Sequence, residues 1–174
     1  MKTRLWWTYA MGWQDGAAAT LAAVHAIVVT WVAWYVAEAA WISAPVGVSP
    51  TPLAPAAFHG AWIAGGLYLL AIGPAVGFRA ARGPWFGADP TASLPLGGAG
   101  RTLTAWGAAA ALLSVVALAP LPTYLALFEM GAFAASDVVR PLLLQAGAIL
   151  AAPIVGVGIA LRRSRSLVGG ALYA

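Results

Sequence analysis

Long apolar runs and short polar breaks alternate along the chain. A transmembrane helix needs about 20 predominantly apolar residues, and such runs occupy residues 16–42, 56–78, 102–119 and 138–161. The breaks between them are rich in proline, glycine or charge, residue types that interrupt helices. The pattern therefore predicts an all-α, polytopic integral membrane protein, a four-transmembrane-helix bundle that forms one membrane domain over residues 1–174.

Two shorter segments are predicted to lie at the membrane surface. Residues 1–15 mix basic and aromatic side chains, which favours a short interfacial segment at the N-terminus. Residues 124–133 are apolar apart from Glu129 and are too short to cross a bilayer. They predict a short interfacial or re-entrant helix before the fourth span.

Small residues indicate where helices approach each other. Gly73 and Gly77 in the second span form a GxxxG pair, a spacing that lets two helix backbones come close. Pro74 lies between them and is predicted to kink the helix or to end its last turn, because proline lacks a backbone N–H. The two halves of the chain show no detectable internal repeat, which weakens an inverted-repeat transporter interpretation.

The composition agrees with lipid as the solvent. Hydrophobic residues make up 62% of the chain and charged residues only 8%, against about 25% charged residues in a soluble domain. The first apolar run is longer than the core of a signal peptide, so it is interpreted as a retained span. The chain has no cysteine, which excludes disulfides and cysteine-ligated metals within it.

The basic residues predict the orientation. Four spans place the N-terminus, the 79–101 loop and the C-terminus on one side, and that side holds eight of the nine basic residues, all but Arg140. The positive-inside rule then places both termini in the cytoplasm. Abundant Ala, Gly, Pro and Arg with a single Lys is typical of a GC-rich genome, and we expect a prokaryotic plasma membrane.

Two histidines in predicted spans raise the question of haem. A membrane cytochrome clamps haem between imidazoles at one depth, whereas His25 and His59 are predicted to differ in depth by about 20 Å along the helices. An intramolecular bis-histidine haem is therefore not expected. No intrinsic cofactor or metal site is predicted, and haem or quinone is expected only at an interface shared with partner subunits.

Glu38 lies near the outer end of the first span. On a helical wheel it shares a face with three tryptophans, Trp31, Trp34 and Trp41. A carboxylate at membrane depth is costly, so we weigh an ion pair with Arg140 against simple hydration at the headgroups. The tryptophans are predicted to form a face that packs against lipid or another subunit, or that contacts a cofactor.

A second hypothesis concerns the polar residues of the outer side. Glu38, His59, Arg140 and Gln145 are the candidate members of an outer-face cluster that binds a quinone headgroup. The alternative interpretation is that these residues are the solvated ends of helices and loops. Their spacing matches no recognised metal-binding pattern.

No catalytic motif for phosphate, acyl or nicotinamide chemistry occurs, so no catalytic residue is assigned. We expect a small accessory or anchor subunit of a larger membrane complex, in a respiratory or photosynthetic electron-transfer assembly, without catalytic activity of its own. Its expected partners are the lipid bilayer and other membrane subunits, with no nucleic acid and no soluble substrate. One alternative is a small homo-oligomeric transporter or channel, and a second is a quinone-reactive subunit that uses the outer cluster.

Overall fold

The computed structural model describes residues 17–43, 53–82 and 98–172. Within these ranges the chain forms five α-helices, and a short 3₁₀ helix at Ala135–Val138 precedes the last of them. The helices are α1 (Ala17–Ser43), α2 (Leu53–Arg82), α3 (Gly98–Leu118), α4 (Leu121–Glu129) and α5 (Val139–Leu172). The predicted all-α fold is therefore confirmed for this part of the chain. The predicted interfacial segment at residues 1–15 and most of the loop at 79–101 lie outside it.

Three helices are long and apolar enough to cross a membrane by themselves. The qualifying segments are Ala18–Ala39 in α1, Pro55–Ala81 in α2, and Ser136–Ala160, most of it in α5. The segments Thr102–Leu118 and Leu121–Glu129 reach that length only together, across a bend of 40°. Length and composition thus give three candidate spans, or four if the bent pair is one span.

The contacts of α4 show that it continues in the direction of α3. His25 and Val29 of α1 lie beside Gly65 of α2, whereas Val32 and Val36 lie beside Gly60, so these two helices are antiparallel. In α3, the carbonyl of Val116 is hydrogen-bonded to His25. After the bend, Thr123 is hydrogen-bonded to Thr30. Leu127 belongs to the apolar cluster that contains Ala33. The pair α3–α4 therefore advances alongside α1 throughout.

The bounds of the short helix predicted at residues 124–133 differ in the structure, and its interfacial or re-entrant placement stays a prediction. The helix spans Leu121–Glu129 instead, and its Leu127 is buried inside the bundle. Pro120 and Pro122 suggest a stop when the sequence is read alone. Proline is tolerated in the first turn of a helix, however, where its missing N–H has no partner to lose, so a new helix begins at the bend.

The helices alternate in direction. Gln145 of α5 reaches Tyr124, whose hydroxyl contacts Ala61 of α2, and farther along α5 Ala152 lies against Gly73. The helices α2 and α5 are therefore parallel to each other and antiparallel to α1 and α3–α4. The start of α1 and the far end of α5 lie at the same end of the bundle.

The helices α2 and α5 meet backbone to backbone. A Cβ atom on Gly77 would collide with the carbonyl of Pro153, and a Cβ atom on Gly156 would collide with the carbonyl of Pro74. The two contacts are reciprocal, since both helices carry the same Pro-x-Val-Gly sequence at residues 74–77 and 153–156. This short repeat escapes a comparison of the chain's halves because three identical residues in each copy give too weak a signal.

The same contact explains why Pro74 does not end α2. Proline within a helix removes one backbone hydrogen bond and bends the axis, yet α2 continues to Arg82. Pro153 likewise lies inside α5. The indole N–H of Trp106 donates to the Leu150 carbonyl (2.7 Å) close to this proline, which ties α3 to α5 where the helix is interrupted.

The helices also extend beyond the predicted spans. The helix α2 covers Leu53–Arg82 rather than 56–78, and α5 continues to Leu172 rather than ending at 161. Hydropathy locates only the apolar part of a helix, and arginine is a good helix former. A helix that emerges from an apolar region therefore has no reason to stop at its first charged residue.

Charge differs between the two ends of the bundle. Arg79 and Arg162 lie at the end where α1 begins, as the directions of α2 and α5 require. The opposite end, where α1 finishes, carries four charged residues in the described ranges: Glu38, Glu129, Asp137 and Arg140. The asymmetry predicted from the sequence is thus present along the bundle axis.

Replacing Gly156 by alanine is expected to destabilise the bundle by about 1–3 kcal/mol, because the added methyl group forces α2 and α5 apart. Thermal unfolding in detergent, followed by circular dichroism, measures this change. Gly158 is the matched control, since a Cβ atom there meets nothing within 4 Å. Gly158→Ala is expected to be neutral or slightly stabilising. Equal melting temperatures for the two variants would contradict the contact.

Candidate functional site

His25 lies in the interior of the bundle, where it is the one fully buried polar side chain of the described residues. Its Nδ1 lies 2.8 Å from the carbonyl oxygen of Val116 in α3. A carbonyl only accepts hydrogen bonds, so Nδ1 carries a proton and donates it to this oxygen. In the neutral ring, Nε2 is consequently an acceptor.

Tyr68 fixes the plane of the imidazole. The two rings are stacked with centroids 4.9 Å apart and an interplanar angle of 7°. The Tyr68 hydroxyl donates to the carbonyl of Leu21 (2.8 Å), one turn before His25 in α1. The ring of His25 is therefore held by a hydrogen bond on one edge and by stacking on one face.

The second ring nitrogen faces the backbone of Gly65 in α2. A Cβ atom at Gly65 would lie 3.2 Å from Nε2, 3.1 Å from the Tyr124 hydroxyl oxygen and 3.3 Å from Val29 Cγ2. Nε2 is buried against this backbone, and no side chain of the described residues is hydrogen-bonded to it. His25 and Tyr124 thus present two polar atoms to the same small region over a glycine.

Tyr124 connects this region to α5. Its hydroxyl oxygen lies 3.4 Å from Gln145 Nε2, which donates to it, and 3.4 Å from the Ala61 carbonyl, which accepts from it. Both distances are long for hydrogen bonds with oxygen acceptors. A shorter bond of 2.6 Å joins Thr30 and Thr123 nearby. We call His25, Gly65, Tyr124 and Gln145 the buried polar site.

The buried polar site lies where the two apolar clusters of the bundle meet. Leu69 and Val116 belong to the cluster toward the start of α1, and Ala61 and Val29 belong to the other. A polar side chain at this height is enclosed by α1, α2 and α3. The sequence offers no periodicity signal for such a site, since it depends on single residues of four helices.

The four residues of the predicted outer-face cluster are not bonded to one another within the described ranges. Glu38, His59 and Arg140 are exposed, and no hydrogen bond or ion pair joins any two of these residues or joins them to Gln145 within the described ranges. The hypothesised ion pair of Glu38 with Arg140 is therefore absent there. Gln145 instead faces Tyr124 inside the bundle. The quinone site remains a prediction.

The structure also revises the depth of the two histidines. Gly65 marks the height of His25, and His59 lies six residues away on the same helix, roughly 9 Å at 1.5 Å per residue. The sequence prediction of about 20 Å assumed that the outer ends of the first two predicted spans, residues 42 and 56, lie at the same height. His59 is exposed, and its Nδ1 donates to the Pro55 carbonyl of its own helix (2.7 Å), so the two rings face different environments.

The aromatic face predicted on the first span lies on the outside of the bundle. Trp31 and Trp34 are 64% and 71% exposed, and Trp31 stacks on Tyr35, itself 59% exposed (5.6 Å, 18°). The side chain of Trp41 lies outside the description. We call Trp31, Trp34 and Tyr35 the aromatic face of α1.

No metal centre is formed by the described residues, in which no three His, Asp or Glu side chains come together. No family model, no curated protein and no solved structure matches the chain. Function is therefore inferred from the arrangement of residues alone.

Replacing His25 by alanine is expected to lower the free energy of unfolding by about 2–4 kcal/mol, because a buried ring and its hydrogen bond are lost. His59→Ala is the matched control. His59 is exposed and bonds only within its own helix, so its loss should cost no more than about 0.5 kcal/mol. Thermal unfolding in detergent compares the two, and equal losses would contradict the structural role of His25.

Proposed function

We propose that the chain is an integral membrane protein that crosses the bilayer four times, with its N- and C-terminal ends in the cytoplasm of a prokaryotic cell. The outward faces of the bundle support this proposal, because they carry large apolar side chains that are more than half exposed, such as Leu67, Leu143 and Ile154. Water does not solvate such a surface, whereas lipid does. The basic end of the bundle corresponds to the cytoplasmic side under the positive-inside rule.

Cysteine labelling tests this topology without background, since the chain contains no cysteine. In intact cells, an impermeant maleimide is expected to label Asp137→Cys at the acidic end. Arg162→Cys at the basic end should react only after the membrane is permeabilised. The reverse pattern would contradict the orientation, and labelling of both positions in intact cells would contradict the basic end as the cytoplasmic one.

Within the membrane, the proposed role is that of an accessory or anchor subunit of a larger complex. The observation that carries this role is the aromatic face of α1. Trp31 and Trp34 lie near the middle of α1 (Ala17–Ser43), whereas tryptophan in contact with lipid is concentrated at the two interfaces. The exposed large side chains near the start of α5 are aliphatic by contrast: Leu142, Leu143 and Leu144.

Hydrogen bonding supports the same role. Neither the Trp31 nor the Trp34 indole N–H forms a hydrogen bond within the described part of the chain. Hydrocarbon offers no acceptor, and a buried indole N–H generally finds one. A neighbouring helix with a polar group at this height would cover the aromatic rings. It would also accept hydrogen bonds from their N–H groups.

The proposed setting is a respiratory or photosynthetic electron-transfer complex. The aromatic face is suited to contact a flat prosthetic group, such as a haem held by a neighbouring subunit, because aromatic rings stack on one another. In this setting, haem or quinone lies at the shared interface rather than inside the chain.

Site-directed cross-linking in native membranes tests the role of the aromatic face. A photoactivatable maleimide is attached to Trp34→Cys or to the control Leu143→Cys, two positions of similar exposure, 71% and 68%. We expect Trp34→Cys to form an adduct with one defined membrane protein that also co-purifies in stoichiometric amount. Leu143→Cys should form adducts mainly with lipid.

Three outcomes would contradict the accessory role. A homodimer adduct from Trp34→Cys would favour the homo-oligomeric transporter instead. Lipid adducts at both positions would leave the aromatic face without a partner. Co-purification of the complex that survives the double substitution Trp31→Leu and Trp34→Leu would show that the face does not hold it. The visible absorption spectrum of the purified complex then tests the electron-transfer setting separately.

A further inference from the structure

Six arginines lie at the basic end of the bundle, where α2 and α5 finish and α3 begins. The helix directions bring them together from distant parts of the chain. The six are Arg79, Arg82, Arg101, Arg162, Arg163 and Arg165. The acidic residues of the described ranges, Glu38, Glu129 and Asp137, all lie at the opposite end.

The contact between α2 and α5 sets the relative height of the arginines on these two helices. Gly73 of α2 lies against Ala152 of α5, and from there both helices continue in the same direction. Arg79 is consequently level with Gly158, and Arg165, the last arginine of α5, lies seven residues beyond. At 1.5 Å per residue, the arginines of both helices fall within a layer about 10 Å deep.

This layer coincides with the boundary of the apolar segments. The apolar segment of α2 ends at Ala81, that of α5 ends at Ala160, and that of α3 begins at Thr102. None of the six arginines is more than five residues from the boundary on its own helix, about 8 Å of helix. The polar headgroup layer on each side of a bilayer is roughly 5–8 Å thick. With the apolar segments in lipid, the arginines therefore lie among the headgroups.

The chain itself does not balance the charge of this layer. The described ranges hold no acidic residue at this end, and the chain has only two others, Asp15 and Asp89. These two can neutralise at most two of the six arginines, so at least four positive charges remain. A zwitterionic headgroup has no net charge, whereas an anionic phospholipid brings the negative charge that this layer lacks.

The residue type and its position both favour a lipid phosphate. The planar guanidinium group of arginine binds two phosphate oxygens at once, and the side chains of Arg79 and Arg162 are exposed. The part of α5 that extends farthest from the apolar segment, residues 166–172, carries no charge. A soluble acidic protein would meet that part first, so the charge is located for headgroups rather than for such a partner.

We propose that the basic end of the bundle binds anionic phospholipid, whose phosphate groups are held by the arginines of α2, α3 and α5. The inference rests on the proposed membrane insertion and goes beyond it by naming the lipid class that the chain selects. It does not depend on the accessory role of the aromatic face.

Electron paramagnetic resonance of the reconstituted chain tests this selectivity. The purified protein is placed in phosphatidylcholine vesicles with a trace of phosphatidylglycerol or phosphatidylcholine, each carrying a nitroxide on the same acyl-chain carbon. Lipid in contact with the protein gives a motionally restricted component, and its share for the two labels gives their relative affinity. Because both leaflets contain the label, the result does not depend on orientation.

The parent chain is expected to favour phosphatidylglycerol over phosphatidylcholine by at least about twofold at low salt. In molar salt, where the Debye length is about 3 Å, this preference should fall toward equality. Replacing Arg162, Arg163 and Arg165 together by glutamine is expected to remove at least half of the excess affinity for phosphatidylglycerol.

Two single substitutions in α5 provide a matched pair. Arg162→Gln and Arg140→Gln each remove one exposed arginine of the same helix, at opposite ends of the bundle. Arg162→Gln is expected to lower the preference. Arg140→Gln should leave it unchanged, because three acidic residues at that end already outweigh the charge of Arg140. If the triple variant does not fold, this pair decides the test.

Three results would overturn the proposal. One is equal affinity of the parent for both labels, which would instead favour a soluble acidic partner at the basic end. Another is a preference that survives the triple substitution, and the third is an equal effect of Arg162→Gln and Arg140→Gln. The absence of any motionally restricted component with either label would contradict membrane insertion itself, and the proposal with it, so the two failures are distinguished.

Discussion

The backbone contact between α2 and α5 is the constraint on which the rest of the fold depends. Helices in lipid gain no hydrophobic energy from association, so close packing and hydrogen bonds have to hold them together. Gly77 and Gly156 permit this packing because each faces a proline carbonyl of the other helix. The helix α2, held in this way, contacts every other α-helix of the described bundle. Its position therefore determines where α1, α3 and α4 can lie.

The buried polar site follows from that arrangement. The helix α1 packs closely on α2 at Gly60 and Gly65. This packing places His25 within hydrogen-bond distance of the Val116 carbonyl, near the end of α3. The 40° bend between α3 and α4 then sets the angle at which Tyr124 enters. A histidine with one satisfied nitrogen and one facing a glycine is thus a product of the contacts among α1, α2 and α3.

The interior and the outside of the bundle carry different functional groups. A single imidazole and the Tyr124–Gln145 pair supply polar groups to the interior, whereas the aromatic face of α1 points away from it. Polar groups in an apolar interior are costly unless they are hydrogen-bonded, which accounts for the partners of His25 Nδ1 and Tyr68. The exposed indole N–H groups of Trp31 and Trp34 form no hydrogen bond within the described part of the chain.

The sequence by itself determined the all-α class, the approximate positions of the long apolar helices and the charge difference between the two ends, because each depends on local hydrophobicity and charge. It also placed Trp31 and Trp34 on one face of the first helix, since a helical wheel needs no tertiary information. Only the tertiary structure decided that Pro74 leaves α2 continuous, that α4 extends α3, and that Gln145 faces Tyr124 rather than Glu38. These features arise from contacts between residues far apart in the chain. Glycines at 65 and 66 look identical in the sequence, and only the packing of three other helices makes one of them part of a site.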